Sequence, residues 1–346
     1  MNANARTSTV EPLDRLRRPL RALRLSLTDQ CNLRCGYCMP EDDYNWLSKE
    51  KLLNINEISI LASSFYHLGV RKLRLTGGEP LLRPDIVEIV TTLNNALPSL
   101  ELTMTTNATM LERLAQPLHD AGLRRVTVSL DAVDARAYQT LTKRNVLSRA
   151  LRGLQAAARL DFEEIKLNAV VMSNNLNQLG LLLEAAKAYG AELRLIEYMD
   201  VGGATRWTEH AFVSADVIRS KLQEIVGPLT PIPRVRGATA NRYALPSGQT
   251  VGIIESMSSP FCSDCDRSRV TADGMWYHCL YAQDGIDLRP YLGQSPHALT
   301  TYIAEHWRQR RAQGALERYQ TGTRGSLYTL AELRQSPHLE MHTRGG

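Results

Sequence analysis

The sequence predicts an α/β protein, an incomplete (β/α)6 TIM-like barrel followed by a C-terminal extension. Three observations predict it. Strand-like and helix-like segments alternate six times between residues 21 and 225. The strand segments alternate apolar and polar residues. After about residue 226 the alternation stops and prolines become frequent. Strands alternating with helices build βαβ units and a parallel sheet. Residues 1–20 are polar and Arg-rich and read as a flexible N-terminal tail.

Strands are expected at 22–28, 72–76, 102–106, 125–130, 165–172 and 193–198. Helices are expected at 57–68, 84–94, 111–121, 149–160 and 176–189. Gly69, Gly122 and Gly190 stand where helices should stop, and Asn56 is a candidate N-cap. Beyond Pro228, Pro231 and Pro233, shorter strands are expected at 242–245, 250–255 and 270–277, with a helix at 297–313. The domains are therefore residues 21–225, the partial barrel, and 226–346, the extension.

Successive strand residues face opposite sides of a sheet. Leu23, Leu25 and Leu27 oppose Arg24, Ser26 and Thr28; Leu73 and Leu75 oppose Lys72, Arg74 and Thr76. Val126 and Val128 oppose Thr127 and Ser129, and Ile165 and Leu167 oppose Lys166 and Asn168. Helices must cover the apolar face, so the polar face should line the lumen. A closed barrel fills its lumen with aliphatic residues. This pattern instead predicts an open barrel whose cavity takes a polar, anionic ligand, with Arg24, Arg74, Thr105 and Lys166 facing inward and no matched run of acids beside them. The alternative is a sheet with one solvated face.

Of 346 residues, 43% are hydrophobic and 22% charged, which excludes wholesale disorder. No apolar run is long enough to span a bilayer, and the first residues lack an apolar signal region, so a cytoplasmic protein without a membrane partner is expected. A net charge of +5 suits an anionic ligand in a basic cleft and falls short of a nucleic-acid-binding protein.

The six cysteines form two triplets. Cys31, Cys35 and Cys38 have the spacing C-x3-C-x2-C directly after strand one, where barrel active sites are built. Three thiolates on one tight loop can hold a cubane and leave its fourth iron open. A partial zinc site completed by Asp29 or His67, or three unrelated buried cysteines, are the bland alternatives. Cys262, Cys265 and Cys279 read alone suggest a zinc knuckle with His278 as fourth ligand, or less readily a redox pair.

C-x3-C-x2-C with Tyr37 before the last cysteine, and Gly77-Gly78-Glu79-Pro80 after strand two, resemble the motifs of radical S-adenosylmethionine (SAM) enzymes. The segment from Phe261 to Gly274 and the strings GVRKLRLTGGEPLLR, TTN, VSLDA, IKLNAVVM and IEYMD resemble one family within them, the GTP 3′,8-cyclases. Ala108 departs from that pattern, since the family often has Gly after TTN.

The resemblance implies two [4Fe-4S] clusters and SAM as cofactors. Cys31, Cys35 and Cys38 would hold the SAM-binding cluster, and Cys262, Cys265 and Cys279, in the C-terminal extension, a second cluster that meets the substrate. Tyr37, Gly78, Ser129 and Met199 would contact SAM. Arg24, Arg74, Thr105, Lys166, Arg267, Ser268 and Arg269 would contact GTP. The C-terminal Gly345 and Gly346 would reach into the site. No catalytic side chain is implied beyond the cofactors. The implied reaction is radical cyclisation of GTP to (8S)-3′,8-cyclo-7,8-dihydroguanosine 5′-triphosphate, the first step of molybdenum cofactor biosynthesis. Flavodoxin or ferredoxin would donate electrons, a cyclic pyranopterin monophosphate synthase would act downstream, and the chain would be a monomer or homodimer. A peptide-modifying radical SAM maturase with an auxiliary cluster and a zinc-stabilised binding protein are the alternative functions.

Overall fold

The computed structural model describes residues 11–322 and 324–345. Six parallel strands form the frame: β1 (Ala22–Ser26), β2 (Lys72–Thr76), β3 (Glu101–Thr106), β4 (Arg125–Ser129), β5 (Glu164–Val171) and β6 (Glu192–Glu197). Between and after them run α1 (Ile55–His67), α2 (Ile86–Ala96), α3 (Leu111–Asp120), α4 (Ala135–Thr142), α5 (Leu147–Ala158), α6 (Leu179–Ala188) and α7 (Ala215–Val226). The extension adds β7 (Thr230–Ile232), β8 (Asn241–Ala244), β9 (Thr250–Ile254), β10 (Arg267–Val270), β11 (Met275–Tyr277) and β12 (Ile286–Asp287), with α8 (Arg289–Leu292), α9 (Pro296–Gln309), α10 (Gly314–Gln320) and α11 (Leu330–Gln335).

The sheet order is β12-β11-β10-β1-β2-β3-β4-β5-β6-β9-β8-β7. β10 joins β1 and β9 joins β6, both in parallel, so the extension widens the barrel at each edge. Short antiparallel strands finish both margins, and the barrel stays open. This is a partial TIM barrel.

The alternation in the sequence decides which face is which. Leu23, Leu25, Leu73, Leu75, Leu102, Met104, Val126, Val128, Leu167, Leu193 and Leu195 are all buried against the helical layer. Each such side chain contributes on the order of 1.5–3 kcal/mol by leaving water. Helix α1 returns Ile58, Leu61, Ala62 and Phe65 to the same core. The opposite face carries the polar set, and the register aligns it: Arg269 lies beside Arg24, and Arg24 beside Arg74.

Several boundaries differ from expectation. The N-cap of α1 is Asn54 rather than Asn56, because Asn54 and Glu57 exchange side-chain and backbone hydrogen bonds in a capping box. The expected helix at 176–189 opens as a 3₁₀ turn, Leu176–Gln178, before α6. The expected strand at 270–277 is a hairpin, β10 and β11, folded at Gly274 with φ +94°. The expected helix at 297–313 breaks after Gln309, where Arg310 turns extended.

The expected flexible tail does not reach residue 20. Leu13 pairs with Pro19, and Leu20 is fully buried. Asp14 sits between two buried arginines, 2.7 Å from Arg18 Nε and 3.1 Å from Arg310 Nη1. Arg18 Nη1 also donates to Cys262 O at 2.7 Å. Arg15 and Arg17 stay exposed, but Arg18 is folded with Asp14 and Arg310 into a buried ion triad. Residues 1–10 lie outside the described residues.

Removing one partner from such a triad leaves buried charge uncompensated. Asp14→Ala is expected to lower unfolding free energy by about 3–5 kcal/mol, read from denaturant melts. A loss below about 1 kcal/mol would return this segment to the status of a tail.

Candidate active site

A cavity of about 740 Å³ fills the open barrel, and both cysteine triplets line it. The first triplet occupies the loop after β1. Cys38 N and Met39 N both donate to Cys35 O, at 3.0 and 2.8 Å, while Arg34 N and Gly36 N donate to Thr142 O and Leu141 O at the end of α4. The second triplet comes from the turn at Cys262–Asp264 before β10 and from Cys279 after β11.

Burial raises Cys262 in the second loop as it raises the thiols of the first, and the two loops differ at Cys265. Burial pushes the Cys31 thiol up to about 11, with Glu79 adding to it. Burial also raises Cys35 and Cys38, with Asp131 and the other thiols of the triplet contributing. At Cys265 burial is outweighed by Arg267 and Arg310, which bring the thiol down to about 7. Buried thiols that feel one another are suited to a bound metal group, which deprotonates its ligands. Soft thiolate donors select zinc or iron–sulfur groups. Among the described residues no three His, Cys, Asp or Glu side chains converge as one bound ion requires. A cubane spreads its ligands over several irons, so the fit rests on donor type and grouping.

The glycine pair after β2 is required by close approach. A Cβ on Gly77 would lie 2.1 Å from Thr28 O, and one on Gly78 2.2 Å from Gln30 O. The two strand-end loops therefore touch backbone to backbone. Gly77 has φ +124°, a conformation L side chains rarely adopt. Glu79 locks the third loop by accepting from Thr106 Oγ1 and Asn107 N, both at 2.7 Å. Burial holds its carboxyl up at about 7 against these hydrogen bonds.

Tyr37, Gly78, Ser129 and Met199 all line the cavity near these loops. The Tyr37 hydroxyl donates to Asp131 Oδ2 at 2.9 Å. Asp131, two residues beyond β4, also accepts from Val170 N at 2.8 Å.

Arg24, Arg74, Thr105, Lys166, Arg267 and Arg269 also line the cavity. Arg74 Nη1 donates to Thr105 Oγ1 at 2.9 Å and to Thr127 Oγ1 at 3.0 Å. Burial lowers the Arg24 pKa well below its ordinary value, and Arg269 and Arg74 lower it further. Ser268 does not belong with them. It pairs with Leu23 and shares the outward face, so its side chain is buried away from the cavity. Its neighbours Arg267 and Arg269 face in because the pleat alternates.

The basic lumen is not free of acids. Lys72 pairs with Glu101 at 3.0 Å, Arg194 with Glu192 at 2.7 Å, and Lys166 with Glu164. These carboxylates all sit at strand starts, a collar the sequence reading did not recognise. Lys72 and Arg194 line the cavity too. The β6 alternation of Leu193 and Leu195 against Arg194 was the available signal for Arg194.

The C-terminal tail enters this site. Gly345 O accepts from Arg24 Nη1 at 2.7 Å and from Arg269 Nη1 at 3.0 Å, and Arg344 O accepts from Arg269 Nη1 at 3.0 Å. Ser26 Oγ donates to Thr343 O at 2.8 Å. Arg344 anchors the tail, stacked 3.9 Å from the Tyr277 ring centroid and donating to Leu280 O and Ala282 O. Gly345 has φ +63°, and a Cβ there would lie 2.1 Å from Thr76 Cγ2. Gly346 lies outside the described residues.

A radical SAM superfamily model matches residues 25–186, and a molybdenum cofactor synthesis C model matches residues 191–316. A protein of Mycobacterium tuberculosis named GTP 3′,8-cyclase 1 is 46% identical over 96% of this chain and 95% of its own length. The chain belongs to the GTP 3′,8-cyclase family of radical SAM enzymes. A second relative, GTP 3′,8-cyclase 3 of Mycobacterium bovis, is 43% identical over 96% of this chain and 90% of that one. The GTP 3′,8-cyclase of Xanthomonas axonopodis pv. citri is 40% identical over 86% and 91%. Among solved structures, Streptococcus suis SuiB bound to SAM aligns with TM-score 0.60 at 13% identity, over 86% of this chain and 65% of that one, so this chain spans just under two thirds of its length. That likeness is one of fold. Membership of the superfamily brings SAM and an iron–sulfur cluster as cofactors.

Ala108 stands in the loop after β3. This buried alanine has φ +61°, and its carbonyl is so close to α5 that a Cβ on Gly153 would lie 2.1 Å from it. A glycine here relieves left-handed strain, which costs an L-residue about 1–2 kcal/mol. Lost methyl burial and unfolded-chain freedom offset that gain. Ala108→Gly is therefore expected to stay within about 1 kcal/mol of the parent, while Ala108→Val, β-branched at positive φ, should cost more than about 2 kcal/mol. Equal melting temperatures for the valine variant and the parent would refute the strain argument.

Proposed function

We propose that this chain converts GTP to (8S)-3′,8-cyclo-7,8-dihydroguanosine 5′-triphosphate as the first step of molybdenum cofactor biosynthesis. One observation carries the reading: a single cavity joins both cysteine triplets across a row of half-buried arginines. In this reading Cys31, Cys35 and Cys38 hold one [4Fe-4S] cluster, and Cys262, Cys265 and Cys279 hold a second. When bound, the first cluster and SAM supply one-electron reduction and hydrogen-atom abstraction at the ribose 3′ carbon.

The chain's own residues bind, orient and exclude water. Tyr37, Gly78, Ser129 and Met199 line the SAM side. Arg24, Arg74, Lys166, Arg267 and Arg269 give the triphosphate its counter-charge, because guanidinium–phosphate hydrogen bonds are both charged and directional. Thr105 orients Arg74. The tail carbonyls at Arg344 and Gly345 hold Arg24 and Arg269 in fixed rotamers before substrate arrives. Residues 21–225 act as the SAM half and 226–346 as the half that carries the second cluster.

We infer further that the enzyme works in the cytoplasm as a monomer or homodimer, takes electrons from flavodoxin or ferredoxin, and passes product to a cyclic pyranopterin monophosphate synthase. Among the described residues no helix is long and apolar enough to cross a membrane.

Anaerobic turnover of the reconstituted chain with SAM and GTP, followed by product identification, tests the reading. The parent should form the cyclised nucleotide. Cys265→Ser should still release 5′-deoxyadenosine but lose at least about 100-fold in cyclisation, of the size seen when one group essential to the transition state is removed. Cyclisation at the parental rate by Cys265→Ser would reduce the second triplet to a structural element. Failure of the parent to form any cyclised product would overturn the reading itself.

A further inference from the structure

Asp14, Arg18 and Arg310 do not line the cavity, yet they hold the loop that carries the second triplet. All three are buried, at 5%, 0% and 3% exposure. One carboxylate between two guanidiniums leaves an excess positive charge. Burying an uncompensated charge is costly, so a further anion belongs beside it. Arg18 Nη1 spends its hydrogen bond on Cys262 O, and Arg18 Nη2 donates to Ala312 O at 3.1 Å. Arg310 Nη1 donates to Asp14 Oδ2 at 3.1 Å and Cys265 O at 2.9 Å, and Arg310 Nη2 points at Cys265 Sγ, 3.5 Å away.

The guanidinium has little freedom to leave. Its Cζ lies 4.5 Å from the Trp307 ring centroid, and Trp307 Nε1 donates to Arg18 O at 3.1 Å. The backbone break after α9 puts Arg310 at this point, and Arg15 N donates to Arg310 O at 3.2 Å. Arg310 thus meets Cys265 from the protein side, while Arg267, which lines the cavity, meets it from the substrate side.

We propose that Arg310, held by Asp14, sets the reduction potential of the cluster on Cys262, Cys265 and Cys279 by donating a charged hydrogen bond to the Cys265 sulfur. The inference rests on the two-cluster reading above. Reduction adds negative charge to a cluster, and a cation hydrogen-bonded to a ligand sulfur favours the reduced state, raising the potential. At the first triplet the side-chain donor to a sulfur is neutral, Asn107 Nδ2 at 3.9 Å from Cys31 Sγ, while Arg34 Nη1 donates to Cys31 O at 2.9 Å. Arg310 is a positioning residue in this scheme and touches neither substrate nor SAM.

The test is a reductive titration, followed by electron paramagnetic resonance, of the full-length reconstituted chain and of Arg310→Gln and Arg310→Lys. Iron content is measured on each. The parent should hold about eight irons and show two reduction waves, one of which responds to added SAM. In Arg310→Gln the wave that does not respond to SAM should move to lower potential by about tenfold in the reduction equilibrium, or about 59 mV. Arg310→Lys, which keeps the charge, should recover at least half of that shift, and the SAM-responsive wave should stay in place. Loss of the second cluster in Arg310→Gln alone would mean that the guanidinium holds the cluster instead of setting its potential, and would overturn the inference. Eight irons with an unmoved wave, equal shifts in both waves, or loss of the cluster in both variants would overturn the inference and leave the two-cluster reading intact. About four irons in the parent would overturn that reading, and the inference with it.

Discussion

Three arginines lie side by side on the inner face of a parallel sheet, and the rest of the molecule is arranged around that charge. Parallel register places Arg269, Arg24 and Arg74 on neighbouring strands at the same height. Neighbouring strands are about 4.8 Å apart, so the three side chains share one small volume. Burial and mutual repulsion both disfavour them, and Arg24 in the middle is depressed by both. A closed aliphatic barrel could not hold them. The sheet instead stays open, sets Glu101, Glu164 and Glu192 at strand starts, and brings two backbone carbonyls of its own tail against Arg24 and Arg269. Those neutral acceptors orient the guanidiniums without cancelling their charge. An anionic ligand supplies what remains.

The two cysteine loops lie at different places in this field. The first is close to carboxylates held by the loops after β2 and β4, and its thiols are raised by burial and by those charges. The second lies where β10 and the end of α9 deliver arginines, and Cys265 is lowered in consequence. One fold thus places guanidiniums beside Cys265 and carboxylates beside Cys35 and Cys38. The glycines at 77 and 78 let the first loop close on its neighbour, and Gly345 lets the tail pass Thr76.

Much of this was legible in the sequence, for an identifiable reason. The alternation of aliphatic with polar residues in β1 to β5 states both the strands and the face that points inward, so the sequence alone places Arg24, Arg74, Thr105 and Lys166 on that face. Cysteine spacing located both triplets. The same alternation should have removed Ser268, which lies one residue out of phase with Arg267 and Arg269. Other features have no local signal. Asp14 and Arg310 are far apart in sequence, and a polar Arg-rich segment looks the same whether it is solvated or folded into a buried triad. The collar of Glu101, Glu164 and Glu192 depends on strand register, which sequence does not print. Ala108 was noticed as a departure, but only its backbone angle explains it.

A row of guanidiniums on one face of the lumen suits a triphosphate. Equilibrium binding of GTP and of guanosine to the reconstituted chain, at one fixed ionic strength, tests it most directly. Each charged phosphate hydrogen bond lost should cost about 1.5–3 kcal/mol, so guanosine should bind at least about tenfold more weakly than GTP, and the difference should shrink as salt is raised. Equal affinities for the two, unchanged by salt, would contradict the account.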